Sequence, residues 1–125
     1  MNNISDHPTA MKNTIKDGIL VIVPEGNLLS EETKKPVMEL LRQNLDAGVN
    51  KVLFDLTGLK YMNSAGLDML LISVAKIKHA GGESALCNIP EQTKKLFSIT
   101  KLGNFFNEQP DELSGISYLK SVKQK

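Results

Sequence analysis

The run Val52-Leu53-Phe54-Asp55-Leu56 constrains this chain more than any other stretch. A short, nearly continuous apolar run does not alternate between water and core. It reads as a β-strand covered on both faces, which requires other elements above and below its sheet. At 125 residues the chain is sized for one domain with a core that folds unaided.

The segments around that strand supply the cover. Residues 1–10 read as a disordered leader, because Asn, Ser, Asp, His and Pro give no periodicity. Lys12–Lys16 and Ile19–Val23 are β-prone runs separated by Asp17-Gly18, a pair suited to a tight hairpin turn. Pro24-Glu25-Gly26-Asn27 is expected to end the second strand. A helix follows, opening either at Ser30, with Pro36 then beyond its first turn, or at a Thr33 cap. Its apolar face is Val37, Leu40, Leu41 and Leu45, and Gly48 closes it.

After the Val52–Leu56 strand, Thr57-Gly58 is a loop and Ser64–His79 a second helix stopped by Gly81-Gly82. Ser84–Cys87 is another strand. Pro90 opens a third helix with Leu96, Phe97, Ile99 and Leu102 as its buried positions, and Pro110–Lys120 holds a fourth, weakened by Gly115. The order specifies a single α/β domain over residues 11–120. Its mixed sheet has four to five strands packed with three to four helices, and residues 121–125 form a flexible tail.

Several function classes drop out. A formal net charge of +1 with scattered lysines offers no field for nucleic acid or an anionic membrane. The basic residues of 120–125 read as a solvated tail. No apolar run is long enough to cross a bilayer, and the N-terminus has no signal-peptide apolar region, so a cytoplasmic protein is expected. Cys87, the single cysteine, reads as a buried thiol. There is no phosphate loop ending in Gly-Lys-Ser or Gly-Lys-Thr and no GxGxxG. The two histidines, His7 and His79, do not cluster with metal ligands, and His79 lies ~22 Å down the second helix from Ser64, too far to serve as its base. Asp55 and Asp68 could approach Ser64 as an acid pair or cation site, but the favoured reading has them satisfying loop amides or facing water. No catalytic set and no cofactor are expected.

What remains is Ser64 itself, an exposed hydroxyl at a helix N-terminus that tolerates added negative charge, suited to modification by another protein. Leu67, Leu70, Leu71, Val74 and Ile77 form the core side of the helix, while Ala65, Met69, Ile72 and Lys76 lie opposite. Met69 and Ile72 either pack on a neighbouring helix or form a docking patch. Gly66 either admits a close backbone approach or is a plain turn glycine. Thr57, Ser73 and Ser98 are hydroxyls away from any predicted exposed helix start.

Three segments resemble the STAS family, specifically the small bacterial anti-sigma factor antagonists. They are Glu25-Gly26-Asn27-Leu28, Val52–Leu56, and Tyr61-Met62-Asn63-Ser64-Ala65-Gly66-Leu67, the last similar to the family's Asp-Ser-x-Gly-Leu-Gly loop. The resemblance runs from about Met11 to Phe106 and implies a partner switch. An anti-sigma factor with serine kinase activity would phosphorylate Ser64 using ATP and be released, and the phosphate would meet the amides of Ala65, Gly66 and Leu67. A metal-dependent serine phosphatase would restore the free form, which recaptures the anti-sigma factor and liberates sigma. The implied partner surface comprises Asn27, Asn63, Ser64, Ala65, Gly66, Asp68, Met69 and Ile72, with no catalytic residue, metal, nucleic acid or membrane. Two positions depart from the family's pattern. Asn63 replaces an aspartate, keeping a helix-capping shape without the charge, and Asp68 replaces a glycine. The alternatives are a STAS scaffold or accessory subunit of a stress-sensing assembly or transport system, and a small nucleotide-binding protein.

Overall fold

The computed structural model describes residues 9–28 and 31–122. Two antiparallel strands open the fold, β1 (Thr9–Lys16) and β2 (Ile19–Leu28). Asp17 (φ 53°) and Gly18 (φ 80°) join them. Both sit in the left-handed region that a primed hairpin turn requires, so the Asp-Gly signal reads correctly. β1 begins before the expected boundary: Thr9 and Ala10, assigned to the leader, pair with Gly26 and Glu25. Residues 1–8 of that leader lie outside the described residues, as do 123–125 of the tail.

β2 does not end at Pro24, as its sequence suggests. On the side away from β1, Leu20–Ile22 pair with β3 (Lys51–Asp55), and Gly26–Leu28 pair with β4 (Leu59–Met62). Pro24 falls in the gap between these partners, where that edge of the strand needs no donor. The ladder shifts register between Gly26 and Asn27. β4 is an unexpected strand. β5 (Glu83–Cys87) and a two-residue β6 (Glu108–Gln109) complete a sheet of order β1-β2-β3-β5-β6, with β4 beside β2. Apart from β1, all pairings are parallel. The sheet is mixed, as expected, but has six strands.

Among the described residues four helices cover it: α1 (Glu31–Asp46), α2 (Ser64–His79), α3 (Glu91–Thr100) and α4 (Glu112–Ser121), and a 3₁₀ turn spans Gly103–Phe105. α1 already runs before Thr33 and contains Pro36, so Thr33 is not its cap; Ser30 lies outside the described residues. The strand at 52–56 is buried on both faces, as its composition demands. Val52 and Phe54 join Leu20, Ile22, Val37, Leu41, Leu70, Val74, Ile77 and Phe97 in one core. Leu53 points the other way and packs with Ile19, Val21, Ala85, Cys87, Ile116 and Leu119 beneath α4.

Two helical expectations change. On α3, Phe97 is buried and stacks on Phe106 with ring centroids 4.8 Å apart, but Ile99 is 77% exposed. The inward positions are Thr93 and Phe97, one turn apart, and Leu96 and Leu102 are half-buried. On α4, Gly115 is a packing requirement. A Cβ there would lie 2.6 Å from Leu53 Cδ1 and 3.0 Å from Cδ2. The helix can therefore approach the sheet closely only with hydrogen at this position. Its end is tied down as well: Lys51 Nζ donates to the Val122 carbonyl at 2.7 Å and Tyr118 Oη to Glu83 at 2.8 Å. Ser121 and Val122 thus belong to the domain.

Helix propensity alone would make Gly115→Ala stabilising by about 1 kcal/mol. Because Leu53 is fully buried, overpacking at about 1–3 kcal/mol is the larger effect. Urea unfolding is expected to show Gly115→Ala less stable by about 1 kcal/mol. A measured gain would mean that Leu53 has room to move.

Candidate functional site

β4 delivers the chain to α2 through Asn63, whose backbone is extended (φ −112°, ψ −169°). Asn63 Oδ1 accepts from the amides of Ala65 (3.0 Å) and Gly66 (3.2 Å), and its carbonyl accepts from Leu67 at 3.0 Å. This is a side-chain N-cap. It also corrects the expectation that a phosphate on Ser64 would meet those three amides, since each already has a partner. The helix dipole still favours negative charge here.

Ser64 is exposed, as expected. Asp68 is exposed one turn on and Ile72 is 42% exposed one turn further, so these three side chains form a stripe along α2. Ala65 is half-buried and Gly66 buried, which removes Gly66 from any contact surface. Met69 is 2% exposed and also leaves the predicted patch. The face it occupies is covered by α1: Ser73 Oγ donates to the Met69 carbonyl at 2.8 Å and lies 3.4 Å from both Met69 Sδ and Met38 Sδ. A helix apolar on two sides buries both where a second helix packs against it, and Ile72 escapes that cover. Asn27 is half-buried and pairs with Tyr61 across the β2–β4 ladder, which brings the end of β2 beside the start of α2. Tyr61 itself is 47% exposed.

Two features of this region carry no local sequence signal. Gln92 of α3 reaches the end of β4: its Oε1 accepts from the Met62 amide at 3.2 Å and its Nε2 donates to the Met62 carbonyl at 3.1 Å. Beyond Ile72, α1 and α2 enclose an open groove of about 550 Å³, lined by Leu45, Ile72 and Ala75 with Arg42, Asp46, Lys76 and His79 on its rim.

Asp55 ends β3 and does not pair with Asp68. Its Oδ1 accepts from Thr57 N (3.0 Å), Thr57 Oγ1 (2.6 Å) and Asn88 Nδ2 (3.1 Å). Burial pushes its carboxyl up, but the hydrogen bonds from Thr57 and Asn88 prevail and hold it below the ordinary range. It therefore satisfies loop donors, as expected. Cys87 is buried; desolvation first, then the charge of Asp55, push its thiol up to about 12, which makes it unreactive. Among the described residues no group of three His, Cys, Asp or Glu side chains is placed to hold a metal ion, and no helix is long and apolar enough to cross a membrane.

The chain matches the STAS domain over residues 10–117. It is 30% identical over 90 residues to BtrV, a candidate anti-sigma factor antagonist of Bordetella bronchiseptica, covering 72% of this chain and 77% of that one. Its fold is similar to that of an anti-sigma factor antagonist from Mycobacterium paratuberculosis (TM-score 0.80, 15% identity, 93% of this chain and 97% of that one). It is also similar to SpoIIAA, a Bacillus cell fate determinant, in two forms. The unphosphorylated form gives a TM-score of 0.75 at 17% identity, over 92% of this chain and 100% of that one. The phosphorylated form gives 0.69 at 18%, over 87% and 98%.

The cap and the loop anchor each make a measurable prediction. Asn63→Ala is expected to cost about 1 kcal/mol of stability by thermal or urea unfolding. Asn63→Asp keeps the acceptor and adds a charge suited to the dipole, so it should gain about 0.3–1 kcal/mol at neutral pH. That gain fades in acid as the new carboxylate protonates. For Asp55, a folded-state value below the unfolded one means its contribution is complete above the unfolded value and is lost as pH falls through the folded one. Asp55→Asn should therefore destabilise by about 1–3 kcal/mol at pH 7. The gap to wild type should narrow below about pH 4.

Proposed function

This chain belongs to the STAS family, and on that premise we propose that it is an anti-sigma factor antagonist working in a partner switch controlled at Ser64. The observation that carries this reading is the exposure of the Ser64 hydroxyl at the head of the Ser64–Asp68–Ile72 stripe. The names of the relatives support it. In its unphosphorylated form the chain binds an anti-sigma factor with serine kinase activity, and sigma is freed. The kinase transfers the γ-phosphoryl group of ATP to Ser64 Oγ, the hydroxyl proton passes to the kinase, and ADP leaves. A metal-dependent serine phosphatase hydrolyses the phosphoserine and returns the chain to the binding state. The chain contributes no catalytic group to either step and acts in the cytoplasm.

The switch acts on the interface and not on the fold. Phosphoserine brings roughly −1.5 to −2 charge at neutral pH. The neighbouring amides are committed to Asn63, so the phosphate stays on the solvent side of the cap. Asp68 lies one turn away on the same face, where like charges repel. A partner seated over Ser64, Asp68 and Ile72 would have to strip water from this doubled charge. The revised contact surface is Asn27, Asn63, Ser64, Ala65, Asp68 and Ile72, extended by Tyr61 and the groove at Leu45 and Ala75.

In the presence of ATP, an anti-sigma factor of the serine kinase class from the same genome should stay bound to Ser64→Ala. It should bind Ser64→Asp roughly 5- to 150-fold more weakly, the usual range for such couplings. Isothermal titration gives both affinities, and intact-mass measurement after incubation shows whether the wild type takes up phosphate. Equal affinities of the two variants would eliminate the charge mechanism.

A further inference from the structure

β4 has one edge on β2 and presents the other to α3. In a strand, the N–H and C=O of one residue point to the same side. At Met62 both are met by one side chain: Gln92 accepts from the N–H at 3.2 Å and donates to the C=O at 3.1 Å. A primary amide is the side-chain group that can do both at once, reproducing the pair of bonds a neighbouring strand would supply. Met62 lies two residues before Ser64 and is fully buried, so its backbone sets where the exposed serine begins. Gln92 is itself firmly based. It occupies the second position of α3, next to the fully buried Thr93, on a helix anchored by the Phe97–Phe106 stack.

We infer that Gln92 is a positioning residue for Ser64, holding the β4–α2 junction in register from outside the sheet. The clamp rests on geometry alone. Its consequence for phosphorylation rests on the function proposed above.

Gln92→Ala removes both bonds. Gln92→Glu keeps an acceptor but loses the donor and sets a carboxylate against the Met62 carbonyl. In the full chain, amide exchange over residues 60–66 should be about tenfold faster in both variants, with β3 amides unchanged. The Gln92→Glu excess should disappear below about pH 4, where protonation restores a donor, while that of Gln92→Ala persists. With the same kinase preparation and ATP, both variants should show KM for the chain raised about tenfold at a similar kcat, since the serine is misplaced but chemically unchanged. Unaltered exchange at residues 60–66 would overturn the clamp. Faster exchange with unaltered KM would overturn the positioning role. If wild type takes no phosphate at Ser64, the proposed function falls, while the exchange data still decide the clamp.

Discussion

Burial of β3 from above and below is the constraint on which the rest of this structure depends. Val52 and Phe54 enter the core under α1, α2 and α3, while Leu53 enters the core under α4. Fully burying such side chains contributes about 1.5–3 kcal/mol each. The requirement for two-sided cover explains features that look incidental one at a time. Gly115 lets α4 sit down on Leu53. The carboxylate at the end of the strand, Asp55, is bound to Thr57 and Asn88, because a charge at the mouth of this core must be hydrogen-bonded.

The same layering decides what α2 can show. With the sheet on one side and α1 on another, α2 keeps a narrow exposed strip, and Ser64 stands at its head. Asn63 uses its own oxygen and carbonyl to quiet the first turn. Ser64 itself is exposed to solvent at the start of the helix. A negative charge at this position would find few internal partners, because Asn63 already holds the amides of Ala65 and Gly66.

Some local signals hold, whereas Pro24 does not end β2 and Thr33 does not cap α1. The Asp17-Gly18 turn, the span of α2 from Ser64 to His79 and the two-faced strand at 52–56 each rest on neighbouring residues, and each stands. β4 does not announce itself: it is four residues long, with Leu59 and Met62 buried and Lys60 and Tyr61 exposed, a pattern with no alternation to detect. It exists because β2 runs past Pro24 to meet it. Met69 and Ile72 look equivalent by periodicity, and only the position of α1 separates them. Ile99 resembles core by apolar spacing, but Thr93 takes the inward position. Gln92 is an ordinary polar residue until α3 is laid against the end of β4. The candidate site was thus legible at its centre, Ser64 with its Asn63 cap, and illegible wherever two distant segments had to be brought together.

β1 forms one margin of the sheet, with β2 as its partner. Such a margin is an invitation to stack further chains. Here it carries Lys12 and Lys16, tethered to Glu25 and Glu112, and any incoming strand would have to bury their ammonium groups. The margin is thereby guarded against edge-to-edge growth of the sheet into a polymer.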